Sequence, residues 1–204
     1  MTGMTDVPAA GLRERKKART RAAIREHAVR LFQAQGYGAT TIEQIAAAAE
    51  VSPATFFRYF PTKEDVVLQD DVDIITLEAL EEQPADLGPI AAFRAAAAAV
   101  RAQLSDADKQ RFAETTRLTF TVPEIRARAV DELVRTTDVI TAAIAARIGA
   151  SADDFAARTM AGAIIGVIMA ATMPWQAVGD GSDMDEMFDR IDAGLAHLEA
   201  GLPL

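Results

Sequence analysis

Between Thr40 and Pro61 two helix starts lie so close together that no full loop fits between them. Thr40 with Glu43, and Thr41 with Gln44 one residue on, have capping-box spacing, in which a hydroxyl and a polar side chain three residues later satisfy each other's backbone N–H groups. Ile42, Ile45, Ala46 and Ala49 then share one helical face. After only Glu50 and Val51 comes Ser52 with Pro53, an N-cap and a proline at the first helical position, and Pro61 stops this second short helix. Helices this short are unstable alone, so both must lean on a neighbour. Two of them joined by about three residues make a helix-turn-helix.

The neighbour precedes them. From about Arg13 to Gln35, Ile24, Ala28, Leu31 and Phe32 recur on one helical face, and Gly36 and Gly38 end the run. Beyond Pro61, Thr62 caps a fourth helix with Glu64 and Asp65 in its first turn. Its stripe, Leu68, Val72, Ile75 and Ala79, runs to about Glu82 and belongs with the helices on its C-terminal side. Further helices are expected from about Ile90 to Leu104, Ala107 to Thr121 and Pro123 to Ile148, then a long one capped by Ser151 and a last one from Met184 to Leu198. Alternating apolar runs are scarce, so the fold class is all-α, with about nine helices.

The stretch "VSPATFFRYF", Val51 to Phe60, divides by helical geometry. Val51, Phe56 and Phe60 have the spacing to face inward, which leaves Ala54, Thr55 and Arg58 outward and Phe57 and Tyr59 at the flanks. Small residues allow close approach to a groove and offer a methyl contact to thymine, while an arginine reaches guanine N7 and O6 or a phosphate. Tyr59, Lys63 and the free N–H groups of the helix starts behind Thr40 and Ser52 are suited to phosphate.

Charge agrees with this division. The chain has a net charge of -9, which would oppose nucleic acid if it were spread evenly. Residues 1 to 63 instead carry ten Lys/Arg against five Asp/Glu, and residues 64 to 204 carry eleven against twenty-five. The balance is a basic tip on an acidic body.

Residues 20 to 65 resemble the DNA-binding domain of the TetR/AcrR family of bacterial transcriptional regulators. The resemblance is carried by Phe32, Gly36 and Tyr37, by Thr40 and Thr41, by Ile45 and Ala46, and by Val51 and Ser52 followed by Thr55, Phe56, Tyr59, Phe60 and Lys63. It implies that the third helix enters the major groove. The DNA-contacting set is then Thr40, Thr41, Ser52, Pro53, Ala54, Thr55, Phe57, Arg58, Tyr59 and Lys63, with Thr41 and Lys63 on the phosphate backbone. Two residues depart from the pattern. Glu50 stands where the family often has glycine, at a cost of about 1 kcal/mol if positive φ is needed there. Phe57 stands where a tyrosine hydroxyl is common. The basic lead-in, with Arg13, Lys16 and Lys17, is either an arm laid on DNA or an ordinary solvated helix start.

The resemblance also organises the rest: a disordered lead-in over residues 1–12, a helix-turn-helix domain over 13–62, and an effector-binding and dimerisation domain over 63–204. It implies a dimer formed by the last two helices, which names Gly162, Ala163, Gly166, Met187, Ile191, Leu195 and Leu198 as interface residues. It also implies a pocket among the remaining helices. Phe93, Phe112, Thr116, Phe120, Met160, Ile164 and Trp175 are the candidate lining, with Arg117 as an anion partner, although plain core packing is the ordinary role of each taken singly. The expected effector is an apolar or aromatic small molecule.

Thr159 to Gly179 carries no charged residue and includes a Gly162/Gly166 pair, enough by length to cross a membrane. Its alanine and glycine content, Pro174 and the acidic flanks Asp153, Asp154 and Asp180 point instead to a helix buried on every side. Cysteine is absent, which suits a reducing cytoplasm, and no signal-peptide pattern opens the chain. His27 and His197 show no metal-ligand spacing and no phosphate-cradling glycine loop occurs, so no metal, cofactor or enzymatic activity is expected. The function implied is a ligand-responsive regulator, chiefly a repressor, that binds a palindromic operator as a homodimer. An activator or a ligand-independent regulator of the same fold is the alternative, and an enzyme a distant one.

Overall fold

A computed structural model describes residues 11–68, 71–172 and 184–203. Among the described residues the chain forms ten helices and no strand. They are α1 (Leu12–Gln35), α2 (Ile42–Ala48), α3 (Pro53–Tyr59), α4 (Asp65–Leu68), α5 (Asp71–Glu81), α6 (Pro89–Gln103), α7 (Asp106–Thr121), α8 (Pro123–Ile148), α9 (Phe155–Thr172) and α10 (Met184–Glu199). The expected fourth helix is α4 and α5, on either side of residues 69–70. The chain divides into two compact units, Met1–Val67 and Leu68–Leu204.

In the first unit α2 packs on α1 and α3 on α2. Ile24, Ala28 and Phe32 of the expected α1 face are buried, joined by Val29, while Leu31 is half-buried. The two short helices are fixed by their ends. Thr41 Oγ1 accepts from the Gln44 N–H at 3.2 Å, and Gln44 Oε1 accepts from the Thr41 N–H at 2.9 Å. Of the two overlapping capping signals, the one a residue later is therefore used. Thr40 turns inward at 1% exposure, its hydroxyl donating to the Gly36 carbonyl at 2.8 Å and accepting from the Gln35 amide at 3.2 Å. Ser52 caps α3 by accepting from the Thr55 N–H at 3.1 Å, with Pro53 behind it.

The first turn of the fourth helix belongs to this unit and not to the body. Thr62 and Asp65 reciprocate as a second cap, the Thr62 N–H donating to Asp65 Oδ2 at 3.0 Å and the Asp65 N–H to Thr62 Oγ1 at 3.2 Å. Lys63 and Glu64 reach back to the α1–α2 turn, so the unit closes at Val67 and not at the proline stop.

The second unit is a helical bundle. α10 packs on α9, α6 and α7, and α8 on α9, α7, α6 and α5. Its core draws on Phe93 and Ala96 of α6, Ile140 and Ile144 of α8, Ala161 and Ile164 of α9, and Met187, Ile191 and Leu195 of α10. Alanine at the contacts lets the helices approach closely, and Gly194 takes this furthest: a Cβ there would lie 2.6 Å from Val167 Cγ1 of α9. Ser151 does not cap α9 as its sequence position suggested. Asp154 does, accepting from the Ala157 N–H at 2.8 Å, while Ser151 is held in the preceding turn against Asp153.

Charge is kept to the outside of this bundle. Arg94 of α6 forks onto Asp192 of α10 at 2.8 and 3.1 Å and reaches Glu199 at 2.9 Å. Arg101 bonds Asp185 at 2.9 Å and Asp189 at 2.5 Å, and Lys109 of α7 joins Asp185 at 2.8 Å. Arg147 near the end of α8 donates to the carbonyls of Leu87 at 3.0 Å and Gln83 at 3.3 Å, tying down the α5–α6 connection.

Candidate functional site

α3 has two faces of opposite character. Phe56 and Phe60 are fully buried, their rings 5.9 Å apart, and the Arg21 guanidinium lies 5.1 Å over the Phe60 ring. On the other face Ser52, Pro53, Ala54, Phe57 and Arg58 are exposed and Thr55 and Tyr59 half-buried. Phe57, which the sequence left undecided, is 50% exposed and meets Phe56 edge-on at 5.6 Å. The Arg58 guanidinium stands 5.4 Å over the Tyr59 ring, so its stem is directed while its head stays in solvent.

Thr41 is exposed at the start of α2, beside the N–H groups of that helix. Glu50, in the turn between α2 and α3, has φ 55, the left-handed region that favours glycine. The bend it makes lets the Val51 N–H bond the Ala46 carbonyl at 2.9 Å and sets α3 at its angle to α2.

Two expected contact residues serve the fold. Thr40 is buried in the α1–α2 turn and offers no free hydroxyl at the surface. The half-buried Lys63 turns its ammonium inward, donating to the Tyr37 carbonyl at 2.9 Å and the Thr40 carbonyl at 3.0 Å, with the Tyr37 ring 3.8 Å away. Tyr37 in turn donates to Glu64. Burial pushes the Glu64 carboxyl up, but the bonds from Tyr37, its own backbone N–H and Thr62, with the charge of Lys63, outweigh it and hold the group below its ordinary value. The sequence showed no sign of this cluster, because Tyr37 lies 26 residues before Lys63 and nothing local pairs them. Of the arm, Lys16 and Lys17 are exposed on the first turns of α1, which begins at Leu12, and Arg13 lies in the same turns.

The second unit contains a cavity of about 110 Å³. Thr76 and Leu77 of α5, Phe93 and Ala97 of α6, Phe112 of α7, Thr136 and Ile140 of α8, Ile168 of α9 and Met187, Phe188 and Ile191 of α10 surround it. Of the expected lining only Phe93 and Phe112 are there. Ile164 is fully buried in the core and Met160 packs against it, while Arg117 is exposed and Thr116 and Phe120 are half-buried elsewhere on α7. Trp175 lies outside the described residues. Helix faces explain the misses: α10, taken from the sequence as an interface helix, turns its apolar stripe into its own bundle and supplies three walls. Spacing could have found Thr136, which lies between Leu133 and Ile140 on the inner side of α8.

The same orientation corrects the interface. Met187, Ile191 and Leu195 are 1%, 8% and 0% exposed within a single chain, and Leu198 packs against the core, so none of the first three is available to a second copy. α9 is not buried on every side. Ala157, Ala161, Ile164 and Ile165 face the core, but Phe155, Thr159, Gly162, Gly166 and Met169 lie open, Phe155 at 81% exposure, with Ala163 at the edge. Nothing stands within 4 Å of where a Cβ would project from Gly162 or Gly166. α9 is long and apolar enough to cross a membrane by length and composition. Here it packs on α8 and α10, and Arg158 of its first turn bonds Asp138 of α8 at 2.9 Å.

Comparison with known proteins agrees with both units. Residues 24–69 match the family described as bacterial regulatory proteins, tetR family, and residues 87–203 match the MftR C-terminal domain. The HTH-type transcriptional regulator TcmR of Streptomyces glaucescens is 47% identical over 100 residues, covering 48% of this chain and 44% of that protein, so the match spans less than half of the relative. The mycofactocin biosynthesis transcriptional regulator MftR of Mycobacterium tuberculosis, itself a provisional assignment, is 26% identical over 90% of this chain and 95% of its own. Among solved structures, Thermus thermophilus FadR, a transcriptional repressor in complex with lauroyl-CoA, superposes with TM-score 0.56 at 25% identity, over 90% of this chain and 95% of that one. A regulator from Syntrophomonas wolfei shares the fold with TM-score 0.61 at 19% identity, over 92% and 98%.

Proposed function

Because this chain belongs to the TetR family of DNA-binding transcriptional regulators, we propose that it is a repressor that binds a palindromic operator as a homodimer and leaves it when a small molecule occupies the cavity of the second unit. The observation that carries the reading is the division of α3: Phe56 and Phe60 hold it from behind, while Ser52, Ala54, Phe57 and Arg58 stand free in front. The major groove admits an α-helix, and that face offers a guanidinium for a base edge or a phosphate and an apolar ring for thymine methyls. The basic balance of residues 1 to 63 supplies the non-specific attraction. The open face of α9 supports pairing, since glycines without neighbours let a second helix come close.

Release occurs if the ligand has unequal affinity for two states of the dimer, since only such a difference moves an equilibrium. FadR of Thermus thermophilus, crystallised with lauroyl-CoA, is a relative in which a small molecule is held, and it supports a ligand-responsive role here. The test is selection of duplexes from a random pool, and then competition. A sequence with two inverted half-sites about one helical turn apart should be recovered and should resist random competitor. Random duplex competing equally well would refute the reading.

A further inference from the structure

The cavity between α5, α6, α8 and α10 has walls more informative than its volume. Among the described residues no charged side chain lines it, and its polar groups are the hydroxyls of Thr76 and Thr136. An ionised carboxylate or phosphate placed there would lose its water with nothing to replace it. The groove next to it, about 210 Å³ and sharing Ala97, Phe188 and Ile191, does contain Arg94 and Arg101. Both arginines are already held by carboxylates of α10, Arg94 by Asp192 and Arg101 by Asp189, and those two aspartates line the same groove. An anionic head group emerging from the cavity would have to compete with those carboxylates for the two guanidinium groups.

Thr136, like Thr116 of α7, differs from most threonines on these helices. Thr119, Thr137, Thr141 and Thr172 each donate their hydroxyl to the carbonyl four residues earlier, at 3.0, 2.7, 2.7 and 2.9 Å. Thr136, next to Thr137 and on the cavity wall, makes no hydrogen bond among the described residues. A hydroxyl turned from its own helix toward an apolar space is one that a guest can satisfy.

Resting on the reading of this cavity as the effector site, we infer that the effector is an uncharged, mainly apolar molecule with a ring-sized portion in the cavity, and that Thr136 selects it by hydrogen-bonding an oxygen function. The size limits the guest to one ring at most: an apolar protein cavity of roughly 150 Å³ takes up benzene, and this one is about 110 Å³ and partly open, so the rest of the molecule stands outside it. On this inference thioesters of coenzyme A, whose phosphates are anionic, are not ligands of this chain, whereas the FadR relative was crystallised with lauroyl-CoA.

The experiment uses the full-length protein without DNA and four probes: p-cresol, toluene, benzoate and lauroyl-CoA. Binding is monitored by shifts of protein methyl signals on titration. p-Cresol should bind about tenfold tighter than toluene, the net worth of one hydrogen bond, and benzoate and lauroyl-CoA should not bind. Thr136→Val should bring p-cresol down to the level of toluene while toluene itself binds as before, which also shows that the cavity is intact. Thr136→Ser, which keeps the hydroxyl, should retain the preference for p-cresol. Binding of benzoate or lauroyl-CoA as tight as p-cresol, a preference for p-cresol that survives Thr136→Val, or no ring binding at all would each overturn the inference. Operator retention is measured separately: a bound ring with the operator still held leaves the inference standing and removes the release mechanism.

Discussion

The two units solve the problem of fixing short or weakly patterned helices in different ways. In the first, every short helix is held by specific polar bonds at its ends, Thr41 with Gln44, Ser52 with Thr55, Thr62 with Asp65, and by a half-buried Lys63–Tyr37–Glu64 cluster. In the second, long alanine-rich helices press together over an apolar core and leave their ion pairs on the outside. The difference teaches where each unit is vulnerable. Polar bonds in partly buried places fail when one partner is removed, whereas an ion pair half in water contributes little and is readily replaced.

The largest test of this contrast is a substitution in the first unit's core. Phe56→Ala should remove about 3–5 kcal/mol, most of what a unit this small can have, and unfold it. Arg58→Ala should leave it folded and cost roughly 1–3 kcal/mol of operator affinity. Circular dichroism melts and competition binding separate the two outcomes, and equal loss of fold by both variants would break the division of α3 into a buried and a reading face.

Next come matched polar removals. Lys63→Met strips donors from two carbonyls and should cost about 1–3 kcal/mol, while Asp192→Asn, at a seam where Asp192 is 55% exposed, should cost under about 1 kcal/mol. Urea melts of each variant measure the pair. If Asp192→Asn proves the more damaging, the body depends on its ion pairs and the contrast fails.

Smaller and opposite in sign is Glu50→Gly. The left-handed φ of 55 favours glycine, so the change should stabilise the first unit by about 1 kcal/mol, raising its urea midpoint. No gain would mean that Glu50 makes a compensating interaction in the turn.

The smallest effect is in pH. The folded Glu64 group lies below its ordinary value of 4.5, so its contribution is complete above that pH and is lost as pH falls through the folded value. Tyr37→Phe removes one of the bonds that lower it, so the acid loss should become shallower between pH 4.5 and more acid conditions. Urea melts read on first-unit amide signals at pH 6.5, 4.5 and 3 check this, and an unchanged slope would sink the assignment.

The contrast also explains what the sequence disclosed. The helix-turn-helix was legible because its determinants are local: caps three residues apart, a proline at a helix start, aromatics at helical spacing. The all-α class and the ends of α6, α7, α8 and α10 were legible for the same reason. Which way α10 faces was not, because its stripe of Met187, Ile191 and Leu195 suits the chain's own core as well as a second copy. Only packing against α6 and α9 decides between them. Lys63 was misplaced because a lysine among polar neighbours reads as surface, and nothing local announces the carbonyls of Tyr37 and Thr40.

The open strip on α9 links assembly to abundance. If Phe155, Gly162, Gly166 and Met169 are covered by a second copy, association adds to the folding free energy by mass action, and the melting temperature climbs with total protein. Copy number then becomes a control in its own right: a cell holding few molecules would have less operator-competent dimer and a less durable fold at once, whatever the level of effector.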